Sequence, residues 1–437
     1  MTTRTLRAVL LAATAALAAC GFDIGNPNSP TGIGPNPSRA RVEAAAIGLL
    51  NGLRSYYPGW ILNAGIIGRE GYRFDGSEPR YTSEVLTGQL DAGGFIGTSQ
   101  WAAPYRDIRS ANELLKYIDG ATELNAAEIS ATKGYAHTLQ ALAFMNVLVA
   151  HTQDSIPVDV GTDVSAPPAP FVSNAAAWAR VEQLLDDGYA ELNAGGTGFP
   201  FSLSSGFSGF DDPGSFATVN RALAARVDIY LGKGAEALTD LASSFEDSTA
   251  SMDLGAYNFY STGSGEVSNT LNRNTQENFA HPQLRDSAQS GANGIDQRYL
   301  AKVFVRDTQT TAGLTSDLGW NRYPGPGSSI PIIRNEELLL IHAEAAILAN
   351  DLPTALAYIN QVRVTSGGLD PLPPFASAAA ATNALLYERR YSLLYEWGHR
   401  WIDMRRYGRL GQLPIDRNGD VVYSTFPIPT DEVLARQ

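Results

Sequence analysis

ARVDIYLGKGAEALTDL, residues 225–241, and AEAAILANDLPTALAYI, residues 343–359, align without a gap. The alignment pairs Ala225 with Ala343, Ile229 with Ile347, Ala237 with Ala355 and Leu241 with Ile359. In each copy two alanines bracket a polar turn, so two antiparallel helices can approach closely where the small side chains face each other. That is the pattern of a tetratricopeptide-type hairpin. Stacked helical hairpins are therefore the expected architecture.

Working outward, helical spacing predicts helices over 39–54, 104–119, 125–151, 174–192, 217–244, 335–365 and 378–397. In the helix over 174–192, Ser173 or Asn174 is placed to cap the first turn, and Trp178, Val181, Leu185 and Leu192 share one face. From Leu139 to Ala150 the chain is apolar nearly all round, which places that helix inside the bundle. Between helices lie irregular, Gly-rich stretches at 56–100, 193–215 and 246–333. Loops of that length are uncommon unless they serve a function. Within the last of them, KVFVR (302–306) and IPIIR (330–334) read as short strands. The tail beyond Gly411 reads as a turn followed by an extended segment.

Charge excludes one class of partner. With 32 Lys and Arg against 45 Asp and Glu, the net charge of −13 repels a phosphate backbone. The N-terminus gives an address. Arg4 and Arg7 precede an apolar stretch, Ala8–Ala19, that is too short to span a bilayer and suits a signal peptide. It ends in Leu17-Ala18-Ala19-Cys20, which resembles the bacterial lipobox, and Cys20 is the only cysteine of the chain. The expected organisation is a lipoprotein signal peptide over 1–19, a lipid-anchored Gly/Pro/Asn-rich tether over 20–38, and one helical domain over 39–437. Gly21 and Phe22 follow the cysteine without the aspartate that favours inner-membrane retention in such lipoproteins, which points to the outer membrane.

Catalytic patterns are sparse. The five histidines are scattered and none forms a zinc helix. Asp416-x-Asn418-x-Asp420 hints at a calcium loop, but Gly419 is out of place and position twelve is Pro427. Asp186-Asp187 and Asp211-Asp212 are adjacent acids, whereas glycoside hydrolysis needs two carboxylates facing across about 5–9 Å. Neither a catalytic residue, a metal nor a cofactor is expected. The densest polar-aromatic run, Glu388 to Arg406, alternates in sign and predicts ion pairs at a helix corner with Trp397 and Trp401 packed inside.

Four segments, in order, resemble the SusD/RagB-like nutrient-uptake lipoproteins. They are the lipobox followed by Asn26-Pro27-Asn28-Ser29-Pro30-Thr31, the hairpin RNEELLLIHAEAAILANDLPTALAYINQVR ending at Arg363, YERRYSLLYEWGHRWIDMRRYG ending at Gly408, and FPIPTDE from Phe426. The helix carrying Trp101, Tyr105, Ile108 and Asn112 is similar as well. The resemblance implies a mainly α-helical, SusD-like bundle with long loops and a few short strands. It further implies a non-catalytic surface lipoprotein that holds oligosaccharide or peptide over a SusC-like TonB-dependent outer-membrane transporter. The rival readings are an all-helical glycoside hydrolase and a helical-repeat scaffold for membrane-protein assembly.

Binding residues do not carry over from a family whose loops vary, so physics selects them. Sugar rings present flat C–H faces to aromatic side chains, and amides, acids and guanidiniums bond their hydroxyls. Trp60, Tyr72, Arg73 and Asp75 in one irregular stretch, and Trp320, Asn321, Arg322 and Tyr323 in another, are the expected ligand face, flat and open to solvent. Trp101, Trp178, Trp397 and Trp401 are assigned to the core.

Overall fold

The computed structural model describes residues 32–437 apart from Gln89, Gln153 and Val164. The signal segment, Cys20 and most of the tether lie outside the described residues. The body begins with α1 (Arg39–Ile67), α2 (Phe95–Tyr117), α3 (Ala126–Ala150) and α4 (Asn174–Asn193). Then come α5 (Pro213–Leu231) with α6 (Gly234–Ala242), α7 (Asn335–Leu348) with α8 (Leu352–Thr365), α9 (Ala378–Ser392) and α10 (His399–Arg406). From α1 to α6 each helix packs on the next, and α7 joins the stack through α6 and α5. No helix among the described residues is long and apolar enough to cross a membrane.

The aligned repeats are two hairpins, α5–α6 and α7–α8. Ala225, Ala237, Ala343 and Ala355 are all fully buried, as their pairing required. The turns correspond too. Gly232 (φ 74°) and its aligned partner Asn350 (φ 57°) both take the left-handed conformation, which glycine and asparagine adopt at least cost. Every residue from Gly134 to Ala150 of α3 is buried except His137, so this largely apolar helix runs through the interior.

Two helices exceed their expected limits. The helix expected over 39–54 continues to Ile67 through Pro58, and the one expected from 104 begins at Phe95 with Pro104 inside it. A proline removes one amide donor and normally marks a boundary. Here both prolines are buried, and the apolar faces that flank them outweigh the missing bond. Conversely, the stretch expected as one helix over 378–397 stops at Ser392. Gly398 (φ 82°) caps the start of α10 in the left-handed region, and a Cβ there would meet Ala64 Cβ at 2.6 Å, so the position demands glycine.

Strands β1 (Gly71–Arg73), β3 (Asn278–Ala280), β4 (Val303–Thr311) and β5 (Leu314–Trp320) form an antiparallel sheet in the order β1-β3-β5-β4. Strand β2 (Gly255–Asn258) pairs separately with β6 (Ile330–Arg334). Both runs expected as strands are therefore strands.

The C-terminal charge cluster is a set of buried ion pairs. Arg334 Nε and Nη2 donate to Glu396 at 3.0 Å each, and its Nη1 donates to Glu336. Arg322 also reaches Glu396 at 3.1 Å, while Arg226 grips Glu337 with two bonds of 2.7 Å and Arg389 holds Asp403 at 2.7 Å. Beside them Trp60, Trp397, Trp401 and Phe426 pack with ring centroids 5.6–6.3 Å apart.

One buried carboxyl lacks such a partner. Glu70, between the end of α1 and Tyr395, receives a single bond from the Tyr395 amide at 3.3 Å, and its Oε2 has none. Burial raises its pKa to about 7. Between its ordinary value near 4.5 and 7 the native state binds the extra proton, so this group destabilises the fold increasingly as pH rises through that window. Glu70→Gln is expected to be more stable than the parent at pH 8, by on the order of 2–3 kcal/mol, with the difference vanishing below pH ~4.5. Urea melts at both pH values check this; a variant less stable than the parent at pH 8 would contradict it.

Candidate functional site

The sheet brings together the two stretches in which ligand residues were expected. Tyr72 pairs with Phe279 and Arg73 with Asn278, while Phe279 pairs in turn with Gly319. Segments 71–75 and 320–323, far apart in sequence, thus end on one sheet. Strand alternation then sorts their side chains. Tyr72 and Phe74 point into the core, and Arg73 and Asp75 are half-buried at the surface.

The aromatic members are not a solvent-facing platform. Trp60 has no exposed surface, and its Nε1 donates to the Trp397 carbonyl at 2.7 Å. Trp320, 2% exposed, lies flat on Tyr395 with centroids 4.1 Å apart and 1° between the planes. The Tyr323 hydroxyl donates to the Tyr395 carbonyl at 2.9 Å, and Tyr72 stacks on Phe74 inside the sheet. Burial removes the faces that a sugar would need, so the expectation of exposed rings is corrected for all four. Arg322 is committed to Glu396 in the buried ion-pair set, so it too has a structural job. Arg73, Asp75 and Asn321 remain at the surface.

Three residues that the sequence reading did not single out complete the face. Phe95, the first residue of α2, is 41% exposed. Its ring lies 6.0 Å from that of Tyr81, nearly perpendicular to it. Arg80 sits 4.4 Å over Phe95, and Arg73 sits 5.1 Å over Tyr81. Guanidiniums over ring faces hold the aromatic pair in place. The segment that carries them is braced by the C-terminal tail. The Val421 amide donates to Leu86 O, the Tyr423 hydroxyl to Glu84 O, and the Thr430 amide to Ala92 O. The only signal in the sequence was position, since Tyr81 and Phe95 belong to the irregular stretch 56–100 and Phe95 follows Gly93-Gly94.

The face continues across the sheet. Arg73 Nη1 donates to Asn278 Oδ1 at 3.3 Å, and Arg306 donates to Gln276 O at 3.1 Å while lying 4.0 Å over Phe279. Arg273 covers Phe304 at 4.1 Å and donates to Asn321 Oδ1 at 2.9 Å. Between them a hollow of 270 Å³ is lined by Arg273, Asn274, Gln276, Phe304, Arg306 and Asp307.

Two acids of this face, Asp75 and Glu78, are saturated. Hydrogen bonds from Ser77 and from the Arg73 guanidinium hold the Asp75 carboxyl at about 2, and Glu78 is held below its ordinary value by Arg80. An acid catalyst needs the opposite shift, a carboxyl kept protonated near neutrality. The face thus offers rings, amides and fixed charges, which suit binding. In the calcium-like turn, Asp416 faces His281 at 3.2 Å and Asp420 receives Arg417 at 2.9 Å, so both carboxylates have protein partners.

The architecture is a stack of helical hairpins carrying a small four-stranded sheet and a loop-built polar-aromatic face. Residues 251–435 match the model of the SusD family. A SusD-like carbohydrate binding protein from Bacteroides fragilis NCTC 9343 superposes with TM-score 0.71 at 14% identity, over 91% of this chain and 98% of that one. A SusD superfamily protein from Bacteroides vulgatus ATCC 8482 gives 0.68 at 16% identity, over 91% and 97%. A laminarin binding SusD-like protein gives 0.65 at 18% identity, also over 91% and 97%. No curated protein matches the chain in sequence. The chain thus has the mainly α-helical, hairpin-based fold that its motifs implied, shared with SusD-like proteins, and its residues 251–435 match the SusD family.

Proposed function

We propose that this protein is a non-catalytic, lipid-anchored lipoprotein of the outer-membrane surface. On this reading it captures oligosaccharide on the face built by residues 73–95 and 273–306 and hands it to a SusC-like TonB-dependent transporter. The anchor is Cys20. The observation that carries the reading is the Phe95–Tyr81 ring pair under Arg80 and Arg73, at the surface of a fold shared with proteins described as carbohydrate-binding and laminarin-binding. A ring edge flanked by fixed hydrogen-bonding groups matches the alternation of C–H faces and hydroxyls on a glycan. Modest affinity suits cargo that must be released to a transporter.

Phe95→Ala is expected to weaken glycan binding by roughly 1–2 kcal/mol, the contribution of one stacked ring, and to leave the melting temperature nearly unchanged because the side chain supports little core. Isothermal titration with laminarin oligosaccharides and with a wider glycan panel, beside thermal melts, tests it. Unchanged affinity for every glycan that binds the parent would remove this face from consideration.

A further inference from the structure

Toward the start of α1, about 20 Å along the helix from its sheet-proximal end at ~1.5 Å per residue, lies a separate pocket of 390 Å³. It is enclosed by α1, the short turn Ser205–Phe207, β2 and the loop around Glu266. Its volume falls in the range of about 300–1,000 Å³ found for small-molecule sites.

Two buried donors in its lining have no acceptor in the protein. Asn258 is 3% exposed and its Nδ2 is unpaired; Arg54 Nε is buried and unpaired as well. Leaving such groups unsatisfied costs about 1–3 kcal/mol each, and a side-chain rotation into the adjoining pocket would let an oxygen acceptor there recover it. The only two charges in the lining, Arg54 and Glu266, cancel in an ion pair of 2.7 Å. Phe259, Tyr257 and Leu203 supply apolar wall, and Ser204 and Ser205 line the pocket as well.

We propose that this pocket is a second binding site, for one or two residues of a neutral saccharide. The chemistry selects the class. The ligand must present several acceptor oxygens to fixed donors, an apolar face to the wall, and no net charge to a lining whose charges are already paired. The ligand class rests on the glycan-capture reading; the location does not.

The test is calorimetric titration of the full chain with laminaribiose, cellobiose, maltose and xylobiose, with glucuronate as a charged control. At least one neutral disaccharide should bind. Asn258→Leu and Ser205→Trp, the latter filling the mouth from an exposed position, should each weaken that binding by about tenfold or more, whereas Leu348→Ala, at the exposed end of α7, should leave it intact. Asn258→Leu should melt no lower than the parent, because an orphaned donor is removed; if it fails to fold, Ser205→Trp alone decides. Affinity unchanged in the pocket variants but lost in Phe95→Ala overturns this site and leaves the sheet face standing. Loss in the pocket variants keeps the pocket whatever Phe95→Ala does, and the sheet face is judged separately by Phe95→Ala against longer oligosaccharides. Preference for glucuronate, or no binding of any neutral disaccharide, overturns the proposal.

Discussion

Trp320→Ala is expected to destabilise the protein by about 3–5 kcal/mol and to leave the glycan affinity of the folded fraction unchanged. The ring fills the space between Gly71, where a Cβ would come within 3.1 Å of it, and the flat face of Tyr395. Tyr395 is itself in the left-handed region (φ 58°), a conformation that a bulky residue holds only when its surroundings dictate it. Glu70, Tyr323 and Trp320 are those surroundings. Removing the ring opens a cavity and loosens the clamp on a strained residue together. Urea unfolding measures the loss; a variant as stable as the parent, with abolished binding, would put Trp320 back on a ligand surface.

Arg334→Met is expected to cost at least as much, about 3–5 kcal/mol, because it leaves Glu336 and Glu396 buried with their principal counter-charge gone. Glu396 keeps Arg322, but Glu336 then has only the Ser366 and Ser392 hydroxyls as close side-chain donors. The cost is electrostatic, so adding Glu336→Gln to the same chain should recover a large part of it. The single variant should also gain stability relative to the parent as pH is lowered toward 4–5, where an uncompensated carboxylate takes up a proton. A single variant with parental stability at pH 7, or a double variant no better than the single, would refute this account of the cluster.

The two cases show what the sequence made legible. The hairpins were readable because their alanines, apolar positions and turns recur with the same spacing, and periodicity survives without knowledge of tertiary contacts. The charge cluster was readable from its alternating signs. KVFVR and IPIIR were readable as strands from their β-branched and aromatic content. By contrast, Trp60 lies beyond Pro58, and nothing local indicates that α1 continues through a buried proline. Tyr72 sits in a strand of three residues, too short for alternation to be seen, and its partners in the sheet come from residues 278–280 and beyond. Burial of Trp320 depends on Tyr395, whose turn no propensity predicts.

The ligand face was half visible for the same reason. Arg73, Asp75 and Asn321 were chosen for their chemistry and do lie at the surface. The exposed ring they were expected to accompany is Phe95, which opens a helix that sequence spacing starts nine residues later, at 104. Whether an aromatic side chain faces core or solvent is decided by which element it closes against, and that information is non-local.

On the proposed function this surface binds a glycan without altering it. The most direct measurement is equilibrium titration of the parent and of the Phe95→Ala, Arg80→Ala double variant with an oligosaccharide panel that includes laminarin fragments, followed by chromatographic analysis of the glycan recovered from the cell. Saturable binding to the parent, at least a tenfold weaker response from the double variant at equal stability, and recovery of the glycan at its original length are predicted. Shortened glycan, or equal binding by parent and variant, would contradict the account.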